Sequence, residues 1–310
     1  MMDLQAILSL EEWTALKLRA LYASQGYRQY KMRKFEQYDL YMQNKDFLLD
    51  EAIITFTDTD GRLMALKPDV TLSIIKNSRD EKGVQKVYYY ENVYRVAKGA
   101  RTFKEIMQVG VECFGEVGQD TLVETLVLAA KSLDEISQSN LLEVSHLGVI
   151  TGVLEACGLA GSAKKQALAA LSEKSVQTLA SVCEKEGLDE EKTALVCALL
   201  DVCGSVEETL ATLDKFVLDE KTKTEVEAFA SALTALKDTG VCQKVRVDFS
   251  QIGNVNYYSG LSFKGFVEGV PTSVLAGGEY NYLMKKMKRN SRAIGFAVYL
   301  EGLGKKTEEV

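Results

Sequence analysis

Two prolines, one histidine and one tryptophan occur in 310 residues, and no run approaches the ~18 consecutive apolar residues that a membrane helix needs. With proline confined to Pro68 and Pro271, extended disordered linkers are not expected. A single histidine, His146, leaves too few ligands for a typical zinc site and argues against a histidine-based nucleophile system. It falls in the alternating run Leu142 to Val149 and reads as a sheet residue. The six cysteines (Cys113, Cys157, Cys183, Cys197, Cys203 and Cys242) form no C-x-x-C pair and mostly sit in apolar helical runs. They read as buried free thiols in a reducing, cytoplasmic setting. Basic excess is lacking too: 37 Lys and Arg stand against 44 Asp and Glu, a net charge of −7, which argues against a general nucleic-acid binder. The segment Met1 to Trp13 has no basic n-region, so it does not read as a signal peptide. No cofactor and no metal are expected.

What is present is ordinary for a globular chain, with 46% apolar and 26% charged residues. Trp13, Leu16, Leu18 and Leu21 recur at helical spacing and Gly26 supplies a stop. Ile53 to Thr57 and Leu63 to Leu66 flank Asp60-Gly61, a hairpin signal. Leu72 to Asn77 reads as a helix after Pro68, with Thr71 as its cap. Val87 to Arg95 and Ile106 to Phe114 form a long antiparallel hairpin whose tip, from Ala97 to Thr102, is expected to be mobile. From Gly118 to Gly240 the spacing is helical, apart from a strand at Leu141 to Val149. Strands resume at Lys244 to Phe249, Tyr257 to Val267 and Thr272 to Leu275, and Gly277-Gly278 reads as a break before the final apolar stretch Ala293 to Leu303. The tail Lys305 to Val310 is charged and expected to fray. The fold class is α+β, a mixed and mainly antiparallel sheet with flanking helices and a helical insertion. Residues 1–150 and 241–310 are expected to form the core domain, and 151–240 the insertion.

Polar side chains cluster where strands ordinarily want packing. Gln108, Gly110 and Glu112 share one strand face if no bulge intervenes. Asp69, Gln108 and Glu112 can accept hydrogen bonds from an ammonium group, and Arg95 can meet a carboxylate or phosphate. Thr71 adds a hydroxyl, while Tyr257, Tyr258 and Tyr280 offer walls and hydroxyls. These eight residues are the candidate site.

Taken in order, the segments resemble the catalytic domain of histidyl-tRNA synthetase, a class II aminoacyl-tRNA synthetase. Lys67-Pro68-Asp69-Val70-Thr71 resembles the Arg-Pro-Glu-x-Thr segment of that family. Val93-Tyr94-Arg95 followed by Gln108-Val109-Gly110-Val111-Glu112 resembles its motif 2. Asn256-Tyr257-Tyr258-Ser259-Gly260 resembles the histidine-specific loop, Ala276 to Tyr280 resembles Gly-Gly-Arg-Tyr-Asp, and Ile294 to Ala297 with Leu300-Glu301 resembles motif 3. The resemblance spans roughly residues 5 to 305, and its specificity lies in five modest motifs in the correct order.

Departures from the pattern bear on activity. Gly253 stands where the histidine-specific loop carries its carboxylate-activating arginine, Gly302 where motif 3 carries an arginine for ATP phosphates, and Val96-Ala97 where motif 2 carries His-Glu. Cations neutralise charge that develops in adenylyl transfer, so their loss removes turnover unless Arg101, Lys104 or Arg292 substitutes. The motif 1 proline is missing from Lys31 to Lys34, and because the sequence ends soon after motif 3 no anticodon-binding domain is expected. A synthetase-like chain of this kind resembles the regulatory subunits of the short form of ATP phosphoribosyltransferase. That resemblance implies a non-catalytic protein of histidine biosynthesis. It would self-associate as a dimer and assemble with a short catalytic subunit in a hetero-oligomer under histidine feedback control. Histidine itself is then a candidate ligand of the inherited pocket. The alternatives are a vestigial pocket or a truncated synthetase-like enzyme that activates an amino acid with ATP. A free-standing aminoacyl transferase acting on a carrier protein or a lysine is a further one.

Overall fold

The computed structural model describes residues 7–44, 47, 53–79, 82–96, 102–253, 255, 257–301 and 303. The first helix, α1 (Leu10–Ser24), is closed at its start by a capping box, Ser9 Oγ accepting from the Glu12 N–H and Glu12 from the Ser9 N–H. Two short strands, β1 (Arg28–Gln29) and β2 (Phe35–Gln37), precede α2 (Tyr38–Gln43). Strands β3 (Thr55–Thr57) and β4 (Leu63–Leu66) then pair, and helix α3 (Thr71–Asn77) follows. The long hairpin is β5 (Val84–Val96) with β6 (Phe103–Gly115), and its expected tip, 97–101, lies outside the described residues, as does the tail 304–310. Next come α4 (Gln119–Asp134), β7 (Asn140–His146) and a helical run of α5 (Leu147–Ala156), α6 (Gly161–Ser172), α7 (Val176–Lys185) and α8 (Glu190–Cys197). A short strand β8 (Cys203–Gly204) interrupts this run before α9 (Val206–Leu210) and α10 (Glu220–Lys237). The chain closes with β9 (Val245–Asp248), β10 (Leu261–Val267), β11 (Leu275–Glu279), α11 (Asn281–Lys286) and β12 (Arg292–Tyr299).

Among the described residues nine strands form one sheet in the order β1-β5-β6-β12-β11-β10-β7-β9-β8, and β2-β4-β3 form a second, smaller sheet. The pairs β1–β5 and β7–β9 are parallel and all others antiparallel, so the sheet is mixed and mainly antiparallel with flanking helices, as the sequence implies. Register along β5–β6 is unbroken, from Val84 opposite Gly115 to Val96 opposite Phe103. Gln108, Gly110 and Glu112 therefore do share a face. Their neighbours Val109, Val111 and Cys113 point the other way, into the core beneath α1 and α4. A second core on the cavity side joins Val87, Tyr89 and Val93 to Leu72, Ile74 and Ile75 of α3. Helices α6, α7 and α10 pack into the first core through residues such as Leu171, Leu179 and Phe229, and β8 pairs with β9.

Four local expectations are corrected. Thr71 does not cap α3: the helix begins with no side-chain bond from its N-cap Val70, and Asp69 Oδ1 accepts the Leu72 N–H at 2.7 Å instead. Leu147 to Val149 belong to α5, because His146 leaves the strand and caps the helix, its Nδ1 accepting the Val149 N–H. Tyr257 to Gly260 precede β10 rather than form part of it, and Tyr257 and Tyr258 both line the cavity described below. Gly277-Gly278 lie inside β11 rather than breaking the chain. A Cβ on Gly277 would come within 2.4 Å of Phe296 Cβ and 2.5 Å of the Gly295 carbonyl oxygen, so close strand packing demands glycine there.

Candidate functional site

The eight candidate residues, Asp69, Thr71, Arg95, Gln108, Glu112, Tyr257, Tyr258 and Tyr280, all line one cavity of about 120 Å³ on the face of the sheet away from α1 and α4. That volume is below the ~300–1,000 Å³ of drug-sized ligand pockets and suits a small molecule of amino-acid size. β6 supplies Gln108 and Glu112, the turn into α3 supplies Asp69 and Thr71, the end of β5 supplies Arg95, and the segments flanking β10 and β11 supply the tyrosines.

Glu112 is the centre of the site and is only 2% exposed. Its Oε1 accepts from Thr71 Oγ1 at 2.6 Å and its Oε2 from the Tyr280 hydroxyl at 2.6 Å. Burial raises its pKa to about 8; the two hydroxyl donors oppose the rise and the Asp69 charge adds to it. With these neighbours the Glu112 carboxyl is largely neutral at pH 7. Asp69 is also raised by burial, held back by the Leu72 N–H, the charge of Arg95 and the Thr71 N–H. Arg95 Nε donates to the Pro68 carbonyl at 3.0 Å, which anchors its guanidinium beside the Asp69 turn. Burial, above all, holds the Tyr257, Tyr258 and Tyr280 phenols protonated. The Tyr257 ring packs edge-on against Tyr258 at 5.0 Å and against Phe47 at 6.2 Å.

Sequence reasoning missed several wall residues, among them Tyr89, Gly295, Phe296 and Tyr299. A signal for them existed in strand pairing. Tyr89 is opposite Gly110, Gly295 opposite Glu112 and Tyr299 opposite Gln108. A Cβ on Gly295 would stand 1.9 Å from Glu112 Oε2, so that glycine makes room for the buried acid. Gly110 does the same for Tyr89, whose hydroxyl would meet a Cβ at 2.4 Å.

Beside the Tyr258 wall, a Cβ on Gly253 would lie 2.8 Å from Tyr258 Cδ2. The ring edge thus crowds the place where any side chain at 253 must begin. Asn256, Ala97, Arg101 and Gly302 lie outside the described residues. Of the other substitute cations, Lys104 sits 3.8 Å from Glu301, and Arg292 bonds Glu279 at 2.9 Å and lines a different cavity. Among the described residues no cluster of three His, Cys, Asp or Glu is placed to hold a metal ion. No helix among them is long and apolar enough to cross a membrane.

This fold and this cavity define a synthetase-type architecture, and the family model described as Histidyl-tRNA synthetase matches residues 6–303, so the chain belongs to that family. Within it, the similarity runs to regulatory subunits. The ATP phosphoribosyltransferase regulatory subunit of Lactococcus lactis subsp. cremoris (strain SK11) is 30% identical over 298 residues, covering 93% of this chain and 90% of that protein. Two solved structures share the fold. An ATP phosphoribosyltransferase regulatory subunit/histidyl-tRNA synthetase from Bacillus halodurans has a TM-score of 0.83 at 20% identity, covering 100% of this chain and 82% of its own. A chain of the ATP phosphoribosyl transferase (HisG:HisZ) complex from Thermotoga maritima has a TM-score of 0.73 at 19% identity, covering 97% and 99%.

Proposed function

We propose that this chain is the non-catalytic regulatory subunit of a short-form ATP phosphoribosyltransferase, acting in the cytoplasm on the first step of histidine biosynthesis. In this reading 1–150 with 241–310 form the synthetase-like core and 151–240 the helical insertion. Two copies associate within a hetero-oligomer that also contains the short catalytic subunit. Histidine is the ligand of the cavity: Glu112 and Gln108 take its ammonium group, and Arg95 faces its carboxylate. The supporting observation is the asymmetry of the site. Recognition groups are intact around Glu112, yet at Gly253 the edge of the Tyr258 ring crowds the position where adenylation needs a cation.

The reading is tested by mixing the chain with a short catalytic subunit. Co-elution, a raised phosphoribosyltransferase rate and a rate that histidine lowers are expected. Absence of all three sinks it, and robust histidine-dependent ATP–pyrophosphate exchange by this chain alone would favour the enzyme instead. Ligand binding is a separate measurement. An ammonium must ionise Glu112, whose pKa is about 8, so this group weakens affinity about tenfold per pH unit below that value. Glu112→Gln is expected to abolish that dependence while leaving co-elution intact.

A further inference from the structure

Behind the first cavity, on the opposite face of the sheet, a second cavity of about 370 Å³ opens between α10, the starts of α4 and α5, and the ends of β10 to β12. Strand alternation creates the pair. At the end of β11, Glu279 faces the second cavity while its neighbour Tyr280 faces the first. The chain before β10 divides likewise, Tyr257 and Tyr258 lining the first and Ser259, Gly260 and Leu261 the second.

Three polar side chains in the second cavity keep bonding or charge capacity that the protein does not use. His146 is only 5% exposed, and its Nδ1 accepts the Val149 N–H at 3.3 Å, so the ring proton sits on Nε2. Among the described residues nothing accepts from that Nε2–H, although His146 lines the cavity. Burial keeps the imidazole neutral, with a pKa near about 4. The Glu225 carboxylate accepts no hydrogen bond among the described residues; its Oε2 lies 3.8 Å from His146 Nδ1 and is tucked against Gly148 in the first turn of α5. Lys285, at the rim on α11, makes no ion pair among the described residues. The remaining charged side chains, Glu279 and Arg292, are already matched with each other at 2.9 Å. Phe229, stacked 5.0 Å from the His146 ring, and Leu122 supply an apolar wall.

A buried donor and a rim cation ask for a carboxylate, an unpaired acid asks for an ammonium, and the apolar wall asks for hydrocarbon. We infer that this second cavity is a binding site for a small zwitterionic amino carboxylate of the α-amino-acid class. Its carboxylate meets His146 Nε2–H and Lys285, and its ammonium meets Glu225. The site is independent of whatever occupies the first cavity.

The test is isothermal titration of the full chain with each of the twenty standard L-amino acids in turn. It is run on wild type, on Ala228→Trp, which fills the groove from the exposed surface of α10, and on Lys285→Glu. Glu112→Gln serves as the control for the first cavity. At least one amino acid is expected to bind with a Kd that rises about tenfold or more in Ala228→Trp and about three- to tenfold in Lys285→Glu, yet is unchanged in Glu112→Gln. If Ala228→Trp unfolds, Lys285→Glu carries the decision, because its side chain is exposed. The inference is overturned if no amino acid binds, or if all binding is lost in Glu112→Gln and untouched by the two groove variants.

Discussion

The two faces of the central strands β6, β12 and β11 differ more than any other two regions of the molecule. Toward α1 and α4, Val109, Val111, Ile294 and Val298 are fully buried hydrocarbon. Toward the first cavity, the residues between them are Gln108, Gly110, Glu112, Gly295 and Ala297. The pairing that makes both faces is the same, so the backbone is indifferent to which one carries chemistry. What differs is how space is spent. One face fills it with methyl groups, while the other deletes side chains so that an acid and a phenol fit.

Four tests probe that contrast, beginning with the largest expected effect. Gly295→Ala adds one carbon 1.9 Å from Glu112 Oε2 and 2.5 Å from the Val111 carbonyl oxygen. It is expected to cost more than about 3 kcal/mol in urea unfolding, as much as the ~2–5 kcal/mol of a core truncation such as Leu126→Ala on the other face. A cost under about 1 kcal/mol would dissolve the contrast.

Glu112→Gln comes next. Folding raises this acid from 4.5 to about 8, so the folded state binds the extra proton and stability falls as pH rises between those values. Wild type should lose on the order of 5 kcal/mol across that window and Glu112→Gln should not. Equal pH profiles for the two would mean that Glu112 is not a desolvated acid. His146 works with the opposite sign on the other face. Burial lowers its pKa from 6.5 to about 4, so its contribution is present above 6.5 and lost as pH falls, by about 3 kcal/mol. His146→Asn, which retains a capping side chain for α5, should remove that acid sensitivity in thermal melts. The smallest effect is expected in the turn before α3. Thr71→Val deletes the hydroxyl that donates to Glu112 and should cost about 1–2 kcal/mol, whereas Asp69→Asn keeps the cap on Leu72 and should cost only a few tenths. If the two cost the same, the bond to Glu112 is not what distinguishes them.

Part of the cavity was legible in the sequence because Gln108 and Glu112 sit at strand spacing, and the unbroken register of β5 with β6 delivers both to one face; the other segments were joined to them by the order of motifs in the resemblance. Other features were not legible, for identifiable reasons. Thr71 has the chemistry of a cap, but a buried acid 41 residues away competes for its hydroxyl, and local propensity cannot register that. Gly277-Gly278 resembles a turn, yet the pressure for glycine comes from Phe296 and Leu261 on neighbouring strands. Glu279 and Tyr280 are adjacent in sequence and only the folded sheet sends them to different cavities. His146 read as a sheet residue, and it is the last one of β7; its second duty as the cap of α5 depends on where the strand happens to stop.

The closeness of Gly253 to the Tyr258 ring sets what a side chain at 253 would have to displace. For an arginine to return at 253, its first carbon must displace an aromatic ring, so that substitution alone brings a clash before it brings a charge. Withdrawing the ring first would open an empty space with nothing gained. Each change alone costs packing, and an arginine is accommodated at 253 only if the Tyr258 ring moves with it.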